Sequence, residues 1–506
     1  MLRSIGDFFT HLARRFMPSP FVFAILLTFV VYVAGIGLTD SGPFEMVGYW
    51  YDGFWNLLSF SMQMVLILLG GYVLATSPQA RSVIARLARL PSTPGQAIVL
   101  IAVVTIVAGW MNWGLGLVIG AVMAVTVSES ARSRGIRVHF PLAAAAGYAG
   151  LLIFGNGFSS SAPLLVNTQD HFLFEEIGLV PVAETILTPY NLITSLVFLA
   201  VIPLVLRAMH PALEECREIG PDVANAFEDE EPGGGGEVRG SPSEAEEGGA
   251  GMGVREERGG EDGGGLGGGG GMPEGGRSTP EPRTRRAAAT LRADLVQRLE
   301  STGMISYPIA LAGLGFVVWF FATRGLALDL NIVNFTLIMG GMVLYGSPSA
   351  YGRAMQKAVT TSTGIILQFP FYAGIMGMMT LSGLVGVFAN AIISVSNPVT
   401  FPLASMFSAA FVNFFVPSAG GQWAVQGPIL VEASQALDVS MGQTIMAFSY
   451  GDQLTNMVQP FWAIPLLGIT DLDAGDLMGY TAVVMLVALV IFAVGVTVLP
   501  LVGLSG

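Results

Sequence analysis

A chain of 506 residues that is 52% apolar and only 12% charged, with a mean hydropathy of +0.64, is too poor in polar side chains for an ordinary water-soluble fold. Its net charge of −13 does not describe its surface as a whole, because residues 211–300 hold twenty Asp/Glu against ten Arg and the remainder is close to neutral. No basic residues cluster with aromatics, which excludes a nucleic-acid footprint, and the single cysteine, Cys216, excludes an intrachain disulfide framework or a cysteine metal site.

What remains is an all-α polytopic membrane protein, and its basic residues set the topology. Pro20 to Leu38 is free of charge and close to the ~20 residues that a helix needs to cross a bilayer. It is too long, and lacks the cleavage site, for a signal peptide. Arg3, Arg14 and Arg15 precede it and the loop from Thr39 to Gly53 has no Lys or Arg, so the positive-inside rule predicts a cytoplasmic N-terminus. Phe54 to Thr76 returns to Arg81, Arg86 and Arg89. Gln96 to Ser128 is long enough to cross, yet it ends at Arg132, Arg134 and Arg137, so both of its ends favour the cytoplasm. A re-entrant hairpin over about 96–130, tipped at Trp110-Met-Asn-Trp-Gly114, satisfies both. A broken helix over about 141–165, interrupted at Gly155-Asn156, then leads outward to a loop, Thr168 to Glu184, that carries His171 but no Lys or Arg. Asn191 to Leu206 comes back to Arg207, completing a first membrane repeat over residues 1–210.

Residues 211–300 read as a cytoplasmic tether. From Glu214 to Pro282 the chain is rich in Gly, Glu and Pro and too poor in apolar residues to offset ordering entropy. Arg283 to Glu300 reads as a helix whose arginines suit an anionic inner leaflet. A second membrane repeat, residues 301–506, starts with spans near Ile305 to Thr323 and Asn331 to Leu344, placing Arg324 outside and Arg353 and Lys357 inside. After a span from Gly364 to about Ala389, a hairpin over about 402–437, tipped at Pro417-Ser-Ala-Gly-Gly421, is expected to enter from the outer side. A second broken helix over about 441–469 is interrupted from Gly451 to Pro460, and Met478 to Leu499 ends the chain. Asn112 and Asn156 stand 44 positions apart, and Asn413 and Asn456 stand 43 apart. Paired interrupted segments in two opposed halves are the sequence pointer to a secondary transporter's binding site, because broken backbone at membrane depth must line a cavity or be buried in protein.

The polar residues at membrane depth narrow the chemistry. His11, His139, His171 and His210 all fall at membrane edges or in loops, so Ser159, Ser160, Ser161 and Ser418 have no base beside them and an intramembrane hydrolase is disfavoured. No His/Cys/Asp/Glu set has the spacing of a resident metal site. The chain therefore reads as no enzyme and as needing no cofactor. Asn112, Asn156, Ser159, Ser160, Ser161, Asn413, Ser418, Gln422, Thr455 and Asn456, with Gly420 and Gly421 at the second tip, are the candidate substrate ligands. Neutral donors and half-helix N-termini suit an anionic substrate, and Trp113, Trp423 and Trp462 could wall a pocket for a short alkyl chain. Asp452, the one acid within a broken helix, is the candidate for the coupling ion, H⁺ or Na⁺. A sodium site is expected near Gly155, Asn156, Asp452 and Asn456. Three readings stay open: a cation-coupled monocarboxylate carrier, a carrier of dicarboxylates or other small anions, and a channel or membrane enzyme. The absence of Arg from the motifs favours a single carboxylate.

Four stretches carry a resemblance: Asn112-Trp-Gly-Leu-Gly-Leu-Val-Ile-Gly120, Phe158-Ser-Ser-Ser-Ala-Pro-Leu164, Phe415-Val-Pro-Ser-Ala-Gly-Gly-Gln-Trp-Ala-Val-Gln-Gly-Pro428 and Gly451-Asp-Gln-Leu-Thr-Asn-Met-Val-Gln-Pro-Phe-Trp462. Together they resemble the short-chain fatty acid transporter family of the ion transporter superfamily, over nearly all of both halves. The Gly/Glu-rich tether departs from that pattern. The resemblance implies uptake of monocarboxylates such as acetoacetate or butyrate by an inverted-repeat transporter of elevator type, with two re-entrant hairpins and two broken helices. It also implies a homodimer in the bilayer. Arginine at all but one basic position hints at a prokaryote, whose inner (plasma) membrane would hold the protein as a multi-pass chain.

Overall fold

The computed structural model of the chain describes residues 20–220, 223, 295–414 and 416–504. Arg3, Arg14 and Arg15, most of the tether and the start of the basic helix expected from Arg283 lie outside the described residues. All regular structure among the described residues is helical. The first half comprises α1 (Pro20–Leu38), α2 (Pro43–Phe54), α3 (Leu58–Ala75), α4 (Pro78–Leu87), α5 (Pro94–Met111), α6 (Trp113–Ser133), α7 (Phe140–Tyr148), α8 (Ser161–Val166), α9 (Phe174–Ile177) and α10 (Pro189–Ala208). The second half comprises α11 (Ser306–Arg324), α12 (Leu330–Tyr345), α13 (Pro348–Val359), α14 (Thr363–Leu381), α15 (Leu384–Ser394), α16 (Phe401–Asn413), α17 (Ala419–Ala436), α18 (Met441–Leu454), α19 (Pro460–Thr470) and α20 (Ala474–Leu499). Nine helical stretches among the described residues are long and apolar enough to cross a membrane.

Helix starts follow local chemistry. Proline opens α2, α4, α5 and α13, where its fixed φ is compatible and its missing N–H is no loss. Side-chain caps satisfy N–H groups that lipid could not: Ser77, Thr93, Asp329, Ser347 and Ser440 each accept from the backbone three residues on.

From α12 onward the second half repeats the element order of the first. A long apolar helix (α1, α12) is followed by a shorter helix (α2, α13), a second long helix (α3, α14), a short helix (α4, α15), a helix pair (α5–α6, α16–α17), an interrupted helix (α7–α8, α18–α19) and a closing helix (α10, α20). The packing follows the same exchange. Helix α14 packs on α1 and α2 while α3 packs on α12 and α13, and α3 and α14 also meet each other. Helix α3 lies against α6, and α14 lies against α17. The short piece after each interruption crosses over, α8 onto α17 and α19 onto α6.

The sequence reading misses several short helices. The stretch 39–53, read as a loop for lack of basic residues, contains α2, whose Gly53 approaches α14 so closely that a Cβ there would lie 2.6 Å from Ala373 O. Residues 364–389, read as one span, are α14 and α15 separated at Gly383, which turns the chain at φ 77°. The second interruption is narrower than expected: Gly451 to Leu454 stay α-helical and a 3₁₀ turn occupies Thr455–Val458.

Candidate functional site

Each helix pair turns at a polar residue that caps its second helix. Asn112 ends α5 in extended conformation, and its Oδ1 caps α6 by accepting from Leu115 N–H at 2.9 Å. The turn is then held to the first interruption, a pair of 3₁₀ turns over Ala149–Leu152 and Phe154–Asn156. Trp113 N–H donates to Ser159 Oγ at 2.9 Å, and Phe158 N–H to Trp110 O at 2.9 Å. In the second pair Ser418 caps α17, accepting from Gly421 N–H at 3.3 Å. Asn413, the last residue of α16, ties that pair to the second interruption. Its Nδ2 reaches Asp452 O at 2.5 Å, Asn456 Oδ1 at 2.8 Å and Thr455 Oγ1 at 2.9 Å. One amide has two protons for these three acceptors, so oxygen atoms are crowded at this point.

Buried amides also lock the two interruptions together. Gln453 accepts from Gly155 N–H at 2.7 Å and donates to Asn156 Oδ1 at 2.6 Å. Tyr148 donates to Asn456 O at 2.8 Å, and Tyr450 donates to Asn191 Oδ1 at 2.8 Å, while Asn191 holds Asn156 O at 2.9 Å. The tyrosines occupy matching places, each fifteen residues before a Pro-Leu-Leu at 163–165 and 465–467. That spacing is legible in the sequence.

A small cleft lies where both turns and both interruptions meet α3 and α14, with room for a solute of a few heavy atoms. Its polar lining is Ser161, Ser418 and Asn456. Four lining positions belong to the first turn of four different helices: Trp113 of α6, Ser161 of α8, Gly420 of α17 and Trp462 of α19. Three of these helices, α6, α17 and α19, are long enough to carry a dipole, so the positive ends of three helix dipoles border one space that no charged side chain lines. The rest of the wall is apolar, from Leu151 and Phe154 of the first interruption, Met64 of α3, and Ile365 and Phe369 of α14.

Of the residues singled out from sequence, Trp113, Ser161, Ser418, Gly420, Asn456 and Trp462 line this cleft. Asn112, Asn156, Ser159, Ser160, Asn413 and Thr455 are buried behind it as the hydrogen-bonded frame. Gln422 staples the second pair internally, donating to Ala409 O at 2.8 Å and to Gln426 Oε1 at 3.0 Å. Gly421 faces the Tyr372 ring, and Trp423 is buried against Phe448 with centroids 4.8 Å apart. Asp452 is buried beside the frame, its Oδ1 without a donor, as are Asn413 Oδ1 and Gln459 Oε1. Met64, Ile365 and Phe369 escape sequence reading because an apolar residue facing a cleft looks like one facing a neighbouring helix.

The doubled order of helices, the two interruptions and the cleft between them define a multi-pass membrane transporter. Residues 1–233 and 280–499 match the family model described as short chain fatty acid transporter, and the chain belongs to that family. A relative from Haemophilus influenzae and one from Escherichia coli K12, both provisionally named short-chain fatty acid transporters, are each 34% identical to it. They align over 98% of this chain and 99% and 100% of their own lengths. The YdaH transporter of Alcanivorax borkumensis, solved by crystallography, shares the fold at a TM-score of 0.54 and 15% identity, over 96% of this chain and 99% of that one.

Proposed function

We propose that this protein is a symporter that carries short-chain monocarboxylates such as butyrate or acetoacetate together with a cation. The observation that carries the reading is the cleft itself, where the first turns of three long helices and three neutral polar side chains border a space otherwise lined by apolar residues. A single carboxylate suits the polar side chains, and a few methylenes suit the apolar ones. A dicarboxylate would bring its second charge against Met64, Ile365 or Phe369, where no cation lines the wall to receive it. The descriptions of the family and of its two relatives point the same way.

The coupling ion belongs to the second interruption in this reading. Asn413 Oδ1, Asp452 Oδ1 and Gln459 Oε1 are buried acceptors without donors, and unmet acceptors suit a sodium ion or, at Asp452, a proton. At the first interruption, by contrast, Asn156 Oδ1 has a donor, Gln453 Nε2 of α18 at 2.6 Å. In this reading the two halves insert in opposite directions with both helix pairs re-entrant, as the basic-residue pattern of the sequence suggests, with the N-terminus in the cytoplasm and a prokaryotic inner membrane around them. The helix pairs and interruptions would move as one body past α3 and α14 in an elevator manner, within a homodimer.

Counterflow of labelled butyrate in proteoliposomes tests the substrate. Exchange should saturate, acetoacetate should compete and succinate should not. Equal competition by succinate would favour the dicarboxylate reading.

A further inference from the structure

The cleft is built from two sets of elements, and they divide its chemistry. Its polar side chains, Ser161, Ser418 and Asn456, come from the helix pairs and interruptions. Part of its apolar lining, Met64, Ile365 and Phe369, comes from α3 and α14. These apolar side chains differ in how firmly they are held. Met64 is unbranched and adaptable, and Ile365 is half-buried. Phe369 is 1% exposed and wedged: its ring lies 5.7 Å from that of Phe60 and 6.3 Å from that of Tyr372. On its far edge the tip of α17 abuts it, since a Cβ on Gly420 would fall 3.2 Å from Phe369 Cζ and 2.8 Å from Phe60 Cζ. A ring clamped by two aromatics and a backbone cannot swing away to admit a longer ligand.

We propose that Phe369 is the stop that sets the longest acyl chain this transporter accepts. The inference rests on the monocarboxylate reading and adds the specificity-determining residue to it. With the carboxylate held at Ser161, Ser418 and Asn456, each added methylene removes apolar surface from water and tightens binding about fourfold. That gain ends where the chain meets the Phe369 ring, and the next methylene must displace an aromatic cluster that also seats the second helix pair. Affinity for unbranched acids therefore climbs with length and then falls abruptly. The residue acts on the tail alone, so a change there alters the ranking of acids without altering the need for a carboxylate.

The test is competition against labelled butyrate in proteoliposomes by unbranched acids from two to eight carbons. It uses the unaltered protein, Phe369→Leu and Phe369→Ala, with Phe371→Ala as control because Phe371 faces Phe21, Trp50 and Phe54 instead. Phe369→Leu removes only part of the ring, which keeps the question answerable if Phe369→Ala does not fold. The expected result is an optimum moved to longer acids by at least one carbon in Phe369→Leu, and further in Phe369→Ala. Butyrate should bind several-fold more weakly in both, while Phe371→Ala keeps the original ranking. A folded Phe369→Leu variant with an unchanged optimum would overturn the stop while leaving the monocarboxylate reading intact. A lack of competition by every acid in the unaltered protein would overturn both.

Discussion

Asn456 and Asn413 show how differently two residues of one motif can serve a site. Asn456 lines the cleft, so under the proposed function Asn456→Ala removes a polar contact to the carboxylate. Hydrogen bonds to a charged group contribute about 1.5–3 kcal/mol, so butyrate affinity should fall roughly ten- to a hundredfold. Asn413 stands behind it and holds Asn456 Oδ1, so Asn413→Ala should lower affinity and thermal stability together. Competition and melting measurements on both variants check this, with Asn331→Ala at an exposed position as the reference. A loss of affinity in Asn331→Ala equal to that in Asn456→Ala would remove the cleft's claim to the substrate. Asp452 is tested separately: Asp452→Asn should abolish gradient-driven accumulation yet leave butyrate exchange. At this scale the sequence makes the polar frame legible, because Asn, Gln and Ser at membrane depth must find partners. It cannot tell frame from lining: Asn112 and Asn456 carry the same side chain, and only the packing turns one toward a helix cap and the other toward the cleft.

At the scale of elements, the tip of the second helix pair is held by shape. Gly420 and Gly421 slot against Phe60, Phe369 and Tyr372, where a methyl group on either residue collides with a ring. Gly420→Ala should therefore push the tip off α3 and α14 and cut transport at least tenfold. Phe60→Leu, which removes the atom nearest the added methyl, should restore part of it. No recovery of counterflow in the double variant would mean that the glycine acts otherwise. The long helices, both turns and both interruptions were readable from apolar length, basic clusters and Gly/Pro breaks. Helices α2, α4 and α13 were not, because a short amphipathic helix and a polar loop share a composition. The narrowing of the second interruption was also hidden, since Gly451 sits in a helix that its neighbours hold on all sides.

The whole molecule adds a pH response at the start of α7, where the segment that follows α10 packs against it. There the segment after α10 is fastened down: Arg217 N–H donates to His139 Nδ1 at 3.1 Å, Arg217 pairs with Asp476 at 2.8 Å and Arg137 with Glu218 at 2.7 Å. Partial burial, reinforced by the neighbouring His210 and Arg217 and opposed by Asp476, pushes the His139 imidazole down to about 4. An unfolded histidine binds its proton near pH 6.5. The unfolded state therefore binds more protons between pH 6.5 and 4, and stability present above pH 6.5 is lost as pH falls through that window. Thermal unfolding in detergent should show a midpoint that drops from pH 7 to pH 4.5, with a shallower drop in His139→Gln. Parallel curves would rule out His139 as the source.

The doubled architecture, the cleft and the unmet oxygens at the second interruption are the grounds of the proposed cation-coupled uptake of a short monocarboxylate. Accumulation of labelled butyrate in proteoliposomes, under an imposed Na⁺ gradient and separately under an imposed H⁺ gradient, tests that most directly. One of the two gradients should drive butyrate above its equilibrium level, with saturation and with competition by acetoacetate. Influx that rises in proportion to butyrate concentration, and never exceeds equilibrium under either gradient, would contradict the account.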